Sequence, residues 1–170
     1  MKTHLTLAVA MGAGLLAGPI RAASKAQPPP TKQGTAMSQA TGTFEVKVAP
    51  LPEDEKVKGL IVGRMSIDKQ FKGDLEGTSK GEMMTVGTKV KGSAGYVAVE
   101  VVTASLKGRS GSFTLMHHAT MKHEGDFKVL INVVPDSGTG ELTGISGVLT
   151  IIIEGKNHSY KFDYALPEAQ

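Results

Sequence analysis

Two runs of apolar and β-branched residues, separated by a glycine-containing break, constrain the fold of this chain more than any other feature. The first run begins at Gly95, the second ends at Met121, and the segment KGRSG at residues 107–111 lies between them. Runs of this kind on both sides of a short glycine-containing segment are typical of a β-hairpin. The sequence therefore predicts two antiparallel strands over residues 95–121.

The rest of the chain extends the same pattern. Glycine accounts for 21 of the 170 residues, and the glycines recur between short apolar runs, which favours an all-β protein with many turns. No segment after residue 40 has a sustained helical period. Besides the hairpin, strands are predicted at residues 43–48, 58–67, 71–86, 127–134, 141–154 and 158–166, with a bulge at Gly77 or Gly81. About eight antiparallel strands in up-and-down order predict an eight-stranded barrel, wide enough for packed side chains or one small ligand.

The first 40 residues have a different composition. Residues 1–23 combine a short basic start, an uncharged apolar segment at residues 5–18 and small residues after Pro19. This order predicts a cleaved signal peptide, too short for a comfortable membrane span. Residues 24–40 are rich in Pro, Ser, Thr, Gln and Ala and predict a disordered tether. We therefore expect a barrel domain at 41–166, periplasmic or secreted, with no membrane span in the mature form.

The charge of the chain excludes one class of partner. The 19 basic residues outnumber the 16 acidic ones, but Lys2, Arg21, Lys25 and Lys32 all precede the first acid, Glu45. Without those four, 15 basic residues face 16 acidic ones, a net charge of −1 for the rest of the chain. No basic stripe with interleaved aromatic residues is present, so nucleic-acid binding is not expected.

Five further segments occur in order along the chain: FKGDLEGTS at 71–79, GYVAVE at 95–100, GRSGSFTLMH at 108–117, PDSGTGELTGISG at 135–147 and HSYKFDY at 158–164. Together they resemble a bacterial family of unknown function, DUF3224. The resemblance implies a barrel of the allene oxide cyclase-like type but no established activity. More distant barrels of this type include plant cyclases and dirigent proteins, which steer hydrophobic intermediates in a cavity without metal or cofactor. Transferring that role would rest on the fold alone.

Glu100 is the first candidate for a functional residue. It lies in an otherwise apolar strand, on the same face as Tyr96. If this face points inward, the buried carboxylate needs a partner, which Arg109 or His117 can supply. It would then be a general base or a ligand anchor. The alternatives are an outward glutamate on a solvated face and a structural ion pair.

His117 shares its face with Phe113 and Leu115, so it should point into the core. A histidine in that position is more often a satisfied core residue than a catalytic one. The adjacent His118 points the other way, so the two cannot chelate one metal ion. His158 is a second inward histidine, yet no spacing requires a metal site, and none is predicted.

Three functions follow from these residues. The leading one is binding of a small hydrophobic or aromatic ligand inside the barrel, in a pocket lined by Tyr96, Glu100, His117, His158, Tyr160 and Tyr164, with Arg109 near its rim. The second is a cofactor-free isomerase or cyclase, in which Glu100 or Glu76 acts as the base and His117 polarises an oxygen. The third is a structural barrel that forms a homo-oligomer. No cofactor is expected in any of the three.

Overall fold

The computed structural model describes residues 36–51 and 61–167. The predicted signal peptide at 1–23 and the tether residues before 36 lie outside this part of the chain. The described residues form eight antiparallel strands and one 3-10 helix between β6 and β7. Their bounds are β1 Met37–Pro50, β2 Ile61–Gly73, β3 Leu75–Gly87, β4 Ala94–Leu106, β5 Arg109–Lys122, β6 Asp126–Val133, the 3-10 helix Gly140–Leu142, β7 Ser146–Glu154 and β8 Asn157–Ala165.

The strands close into a barrel in sequence order, because β8 pairs with β1 as well as with β7. This confirms the predicted all-β, eight-stranded antiparallel barrel. Closure leaves no strand of the barrel with an unpaired edge. The ladder between β6 and β7 is the shortest, with Asn132 opposite Val148. No helix among the described residues has the length and apolar character needed to cross a bilayer.

The two ends of the barrel differ. The turns β2–β3 and β4–β5 and the 3-10 helix lie at one end, which we call the closed end. There Leu142 and Ile145 enter the core, and aromatic rings fill the interior: Phe113 stacks on Phe162 at a centroid distance of 5.6 Å. The turns β3–β4, β5–β6 and β7–β8 lie at the opposite end, which we call the open end.

Three strand boundaries differ from the predicted ones. Strand β1 starts at Met37, and its residues 37–40 pair with β8, whereas the sequence pattern placed the first strand at residues 43–48. Strand β2 continues through Gly73 and turns at Asp74, whereas the sequence pattern placed Phe71 in the next strand. Residues 140–142 are helical, so β7 starts at Ser146 rather than 141.

The predicted bulge in β3 is absent. Gly77 and Gly81 both stay in continuous register with β4. A Cβ atom at either position would lie 2.3 Å from a carbonyl oxygen of β4, that of Thr103 or Val99. Glycine is therefore needed there because the two backbones approach closely, not because a residue is inserted.

Candidate functional site

The interior of the barrel contains a cavity of about 210 Å³ at the open end. Its walls come from the inward positions of all eight strands, and most of the lining side chains are aliphatic or aromatic. The lining residues are Phe44, Val46, Val48, Ile67, Lys69, Met83, Tyr96, His117, Phe127, Ile151, Ile153 and His158. Polar groups are few, so the cavity has the character of a site for a small apolar molecule.

A buried lysine is the first charged group of this cavity. Lys69 occupies an inward position of β2 between Ile67 and Phe71, and it is 7% exposed. Its Nζ donates to Oε2 of Glu100 at 2.6 Å. The same nitrogen lies 5.4 Å from the centroid of the Phe44 ring and 5.8 Å from that of Phe71. Both rings present their electron-rich faces within the range of a cation–π interaction.

The carboxylate of Glu100 is fully buried in the barrel interior. It contacts two residues of the cavity wall, Lys69 and His117. Its Oε1 accepts a hydrogen bond from Oγ of Ser79 on β3, and its Oε2 faces Lys69. Burial raises the pKa of this carboxyl group, but the contacts with His117, Lys69 and Ser79 outweigh burial and lower the pKa from 4.5 to about 2. Glu100 is therefore ionised at neutral pH, and its charge is balanced by that of Lys69.

His117 completes this buried group, which we call the Glu100 cluster: Lys69, Ser79, Glu100 and His117. Its Nε2 lies 3.0 Å from Oε2 of Glu100, but this nitrogen makes no well-directed hydrogen bond within the described residues. The contact is therefore mainly electrostatic. Because the carboxylate is ionised, a ring nitrogen this close to it carries a hydrogen, which leaves Nδ1 as the acceptor in the neutral ring.

Tyr96 and His158 are two further polar residues of the cavity wall. The His158 ring is tilted against Phe44 at a centroid distance of 5.3 Å. Burial, together with the negative charge of Glu100, raises the pKa of the Tyr96 hydroxyl. Tyr96 therefore keeps its proton at neutral pH and can donate a hydrogen bond to a bound molecule.

No group of three or more His, Cys, Asp or Glu side chains in the described ranges is arranged to hold a metal ion. A depression of about 580 Å³ lies mainly on the outer wall, among outward side chains of β2 to β6. It also contacts three inward residues, Met83, Ala98 and His117. The smaller cavity at the open end is the one that contacts the Glu100 cluster from inside, so we take it as the candidate site.

Comparison with known proteins places the chain in a family. The family model described as a protein of unknown function, DUF3224, matches residues 40–164. The crystal structure of a DUF3224 protein of unknown function from Shewanella oneidensis MR-1 is 46% identical in sequence and covers 79% of this chain and 100% of its own, with a TM-score of 0.72. The chain belongs to the DUF3224 family. No curated protein is significantly similar to it.

The cavity of this DUF3224 barrel brings together three of the predicted ligand-binding residues, Tyr96, His117 and His158. Glu100 does not line the cavity itself, but it contacts two residues that do, Lys69 and His117. As the prediction allowed, it points inward and forms an ion pair. Its predicted partner His117 is in contact with it, whereas Arg109 is not.

The other predicted residues lie elsewhere. At the closed end, Arg109 donates to the carbonyl oxygen of Glu141 at 2.8 Å, which excludes it as a partner of Glu100. Tyr160 and Tyr164 are core residues there, and the Tyr160 hydroxyl accepts a hydrogen bond from the backbone of Leu75 at 2.9 Å. Glu76 is exposed on the outer face. None of these four side chains lines the cavity.

The sequence pattern missed Lys69 and Ser79. Lys69 fell between two predicted strands, so it appeared to be a loop residue. The signal that could have found it is the alternation of Ile67, Lys69 and Phe71, which puts a lysine at an inward position. Ser79 is small and common in turns, and nothing in its neighbourhood marks it as a partner for a carboxylate.

Proposed function

We propose that the chain binds one small, mainly apolar molecule in the cavity at the open end. The observation that carries this proposal is an internal cavity with apolar walls next to a buried, charge-balanced cluster. The interiors of folded domains are normally close-packed, with few voids larger than a water molecule. Here the closed end is packed with aromatic rings, whereas the open end keeps space among Phe44, Phe127 and Ile151.

The volume sets the size of the ligand. An apolar cavity of about 150 Å³ takes up benzene, so the 210 Å³ found here suits a single ring or an aliphatic molecule of similar size. Three aromatic side chains on the wall, Phe44, Tyr96 and Phe127, offer faces and edges to such a ring.

The charges set the polarity of the ligand. Lys69 and Glu100 neutralise each other at 2.6 Å, so the site offers no unpaired charge to an ionic ligand. The polar groups left for a ligand are the Tyr96 hydroxyl, Nδ1 of His117 and the imidazole nitrogens of His158, which together supply donors and acceptors. A neutral molecule with a hydroxyl or carbonyl group therefore fits best.

The alternative of a cofactor-free isomerase or cyclase lacks a suitable base among the predicted residues. A general base works best when its pKa lies near the working pH. Glu100 has a pKa of about 2 and accepts a proton poorly at neutral pH, while Glu76 lies on the outer face. Binding without catalysis by these groups is the function that the geometry favours.

We also propose that the barrel acts outside the cytoplasm, after cleavage of residues 1–23. The observation that supports export is the order of basic, apolar and small residues at the start of the sequence, which is typical of a signal peptide. Intact-mass measurement of the protein made in its own cell gives the cleavage site. A mature chain that starts near residue 24 is the expected result, and a full-length chain in the cytoplasm would contradict it.

Native mass spectrometry of gently purified protein tests the binding proposal. We expect a stoichiometric small-molecule adduct that is lost on denaturation. Val46→Phe should abolish the adduct, because the added ring would fill the cavity. Ala49→Phe places the same ring on the outer face of the same strand and should leave the adduct in place. An adduct that both variants retain equally would show that the ligand binds elsewhere.

A further inference from the structure

The outer surface of the barrel is polar on one side and apolar on the other. Most outward positions of β1, β2 and β8 are polar, as in Glu45, Asp68 and Lys161. On β4, by contrast, three successive outward positions are valines, Val97, Val99 and Val101, each about half exposed. In a strand with one face in water, the outward positions are normally polar. The stripe of three outward valines therefore calls for an explanation.

The strand register shows that these valines belong to one continuous surface. Val97 lies between Met84 of β3 and His118 of β5, and Val99 lies opposite Met116. The stripe and its neighbours form what we call the apolar face: Met84, Val86, Val97, Val99, Val101, Met116, Leu130 and Val148. The groove of about 580 Å³ runs among five of these side chains, Met84, Val97, Val99, Met116 and Leu130.

From this arrangement we infer that the apolar face is a homodimer interface, covered by the same face of a second copy of the chain. This inference is independent of the ligand proposed for the interior. Contiguous apolar patches of this kind on the surface of a folded chain mark contact sites. A two-fold contact pairs the face with itself, so each copy covers the valine stripe of the other.

The area agrees with what a stable dimer needs. Eight half-exposed side chains expose about 400 Å² of apolar surface, taking about 100 Å² for a whole aliphatic side chain. A standard interface buries about 800 Å² on each partner, and a little over half of it is apolar. The polar rim of His118, Asn132 and the Arg64–Glu82 pair supplies the remainder.

The charges also favour a second copy over a charged partner. Arg64 and Glu82 form an ion pair at 2.7 Å on the β2–β3 edge of the face, and Lys80 lies 3.7 Å from Asp68 next to it. These charges compensate each other within the chain, so the face offers no net charge to select an acidic or basic partner. The flexible side chains of Met84 and Met116 can adapt to the groove of the facing copy.

Light scattering coupled to size-exclusion chromatography tests the inference on the full chain. At about 50 µM the wild type should have twice the mass of the single chain. Val99→Asp should give a monomer, with a dissociation constant at least 100-fold higher. Thr43→Asp is the matched control, because it also replaces a β-branched residue by aspartate but lies on the polar side of the barrel. This variant should remain dimeric.

A second variant covers the case in which Val99→Asp does not fold. A triple variant carries the substitutions Val97→Thr, Val99→Thr and Val101→Thr, which keep the shape and the β-branched character of each residue. This triple variant should keep the circular dichroism spectrum of the wild type and be monomeric. A wild type that is monomeric at every concentration, a dimer that the triple variant leaves intact, or an assembly of three or more chains would each overturn the inference.

Discussion

At the residue scale, the carboxylate of Glu100 has three partners, and each comes from a different strand. Lys69 reaches it from β2, Ser79 from β3 and His117 from β5, while Glu100 itself is on β4. Taking both charges out of water costs free energy, and the contacts compensate for this only when the geometry is complete. The Glu100 cluster therefore fixes the register of four neighbouring strands as well as the polarity of the cavity.

Removing the negative charge should destabilise the fold strongly. In Glu100→Gln the ammonium group of Lys69 stays buried without a counter-charge, so we expect a loss of about 3 kcal/mol in the free energy of unfolding. Glu76→Gln removes a carboxylate of the same type from the exposed face and should change stability by no more than about 0.5 kcal/mol. Urea unfolding monitored by circular dichroism measures both. Equal stability of the two variants would contradict the role given to the cluster.

The same cluster predicts how stability depends on pH. The pKa of Glu100 is about 2 in the folded chain, against 4.5 for an ordinary solvated glutamate, so its contribution is present above pH 4.5 and is lost as the pH falls towards 2. The difference in unfolding free energy between wild type and Glu100→Gln should therefore be constant from pH 7 to 5 and shrink below 4.5. A difference that is unchanged at pH 3 would show that the carboxylate is not the source.

At the scale of the elements, alternation predicted which face of most strands points inward, but it could not fix where the strands end. The inward positions of Tyr160 and Tyr164 on β8 were predicted correctly. The boundary between β2 and β3 was wrong, because a tight turn at Gly73 and Asp74 leaves almost no gap between two strand patterns. That error also hid Lys69, since a residue outside a strand has no assigned face.

The β4–β5 turn gives a prediction at this scale. Lys107 and Gly108 connect the strands directly, and both have positive φ, 47° and 86°, which is typical of the tightest hairpin turns. A Cβ atom at Gly108 would meet no atom within 4 Å, so Gly108→Ala tests conformation alone. We expect a loss of about 1 kcal/mol.

Ser110→Ala is the control for that variant. Its side chain is exposed just after the turn, and the substitution should leave the unfolding free energy within about 0.5 kcal/mol of the wild type. If Gly108→Ala were as stable as Ser110→Ala in thermal unfolding, the backbone strain assigned to position 108 would be absent.

At the scale of the whole molecule, the barrel has a packed end, an open end and two unlike outer sides. The family resemblance and the strand count predicted the closed barrel, because eight up-and-down strands remove their edges by closing. The position of the cavity was not predictable in the same way. It depends on which inward side chains meet across the barrel, such as Phe113 and Phe162 at the packed end, and a single sequence does not contain that pairing.

Uptake of a small apolar molecule at the open end can be observed by an NMR titration with toluene. The expected result is saturable shifts and intermolecular NOEs at Phe44, Val46 and Ile151, with none at Phe113 or Phe162. The perturbations should disappear in Val46→Phe. Shifts confined to the outer groove around Val99, or no saturable shift at the open end, would show that the cavity is not a binding site.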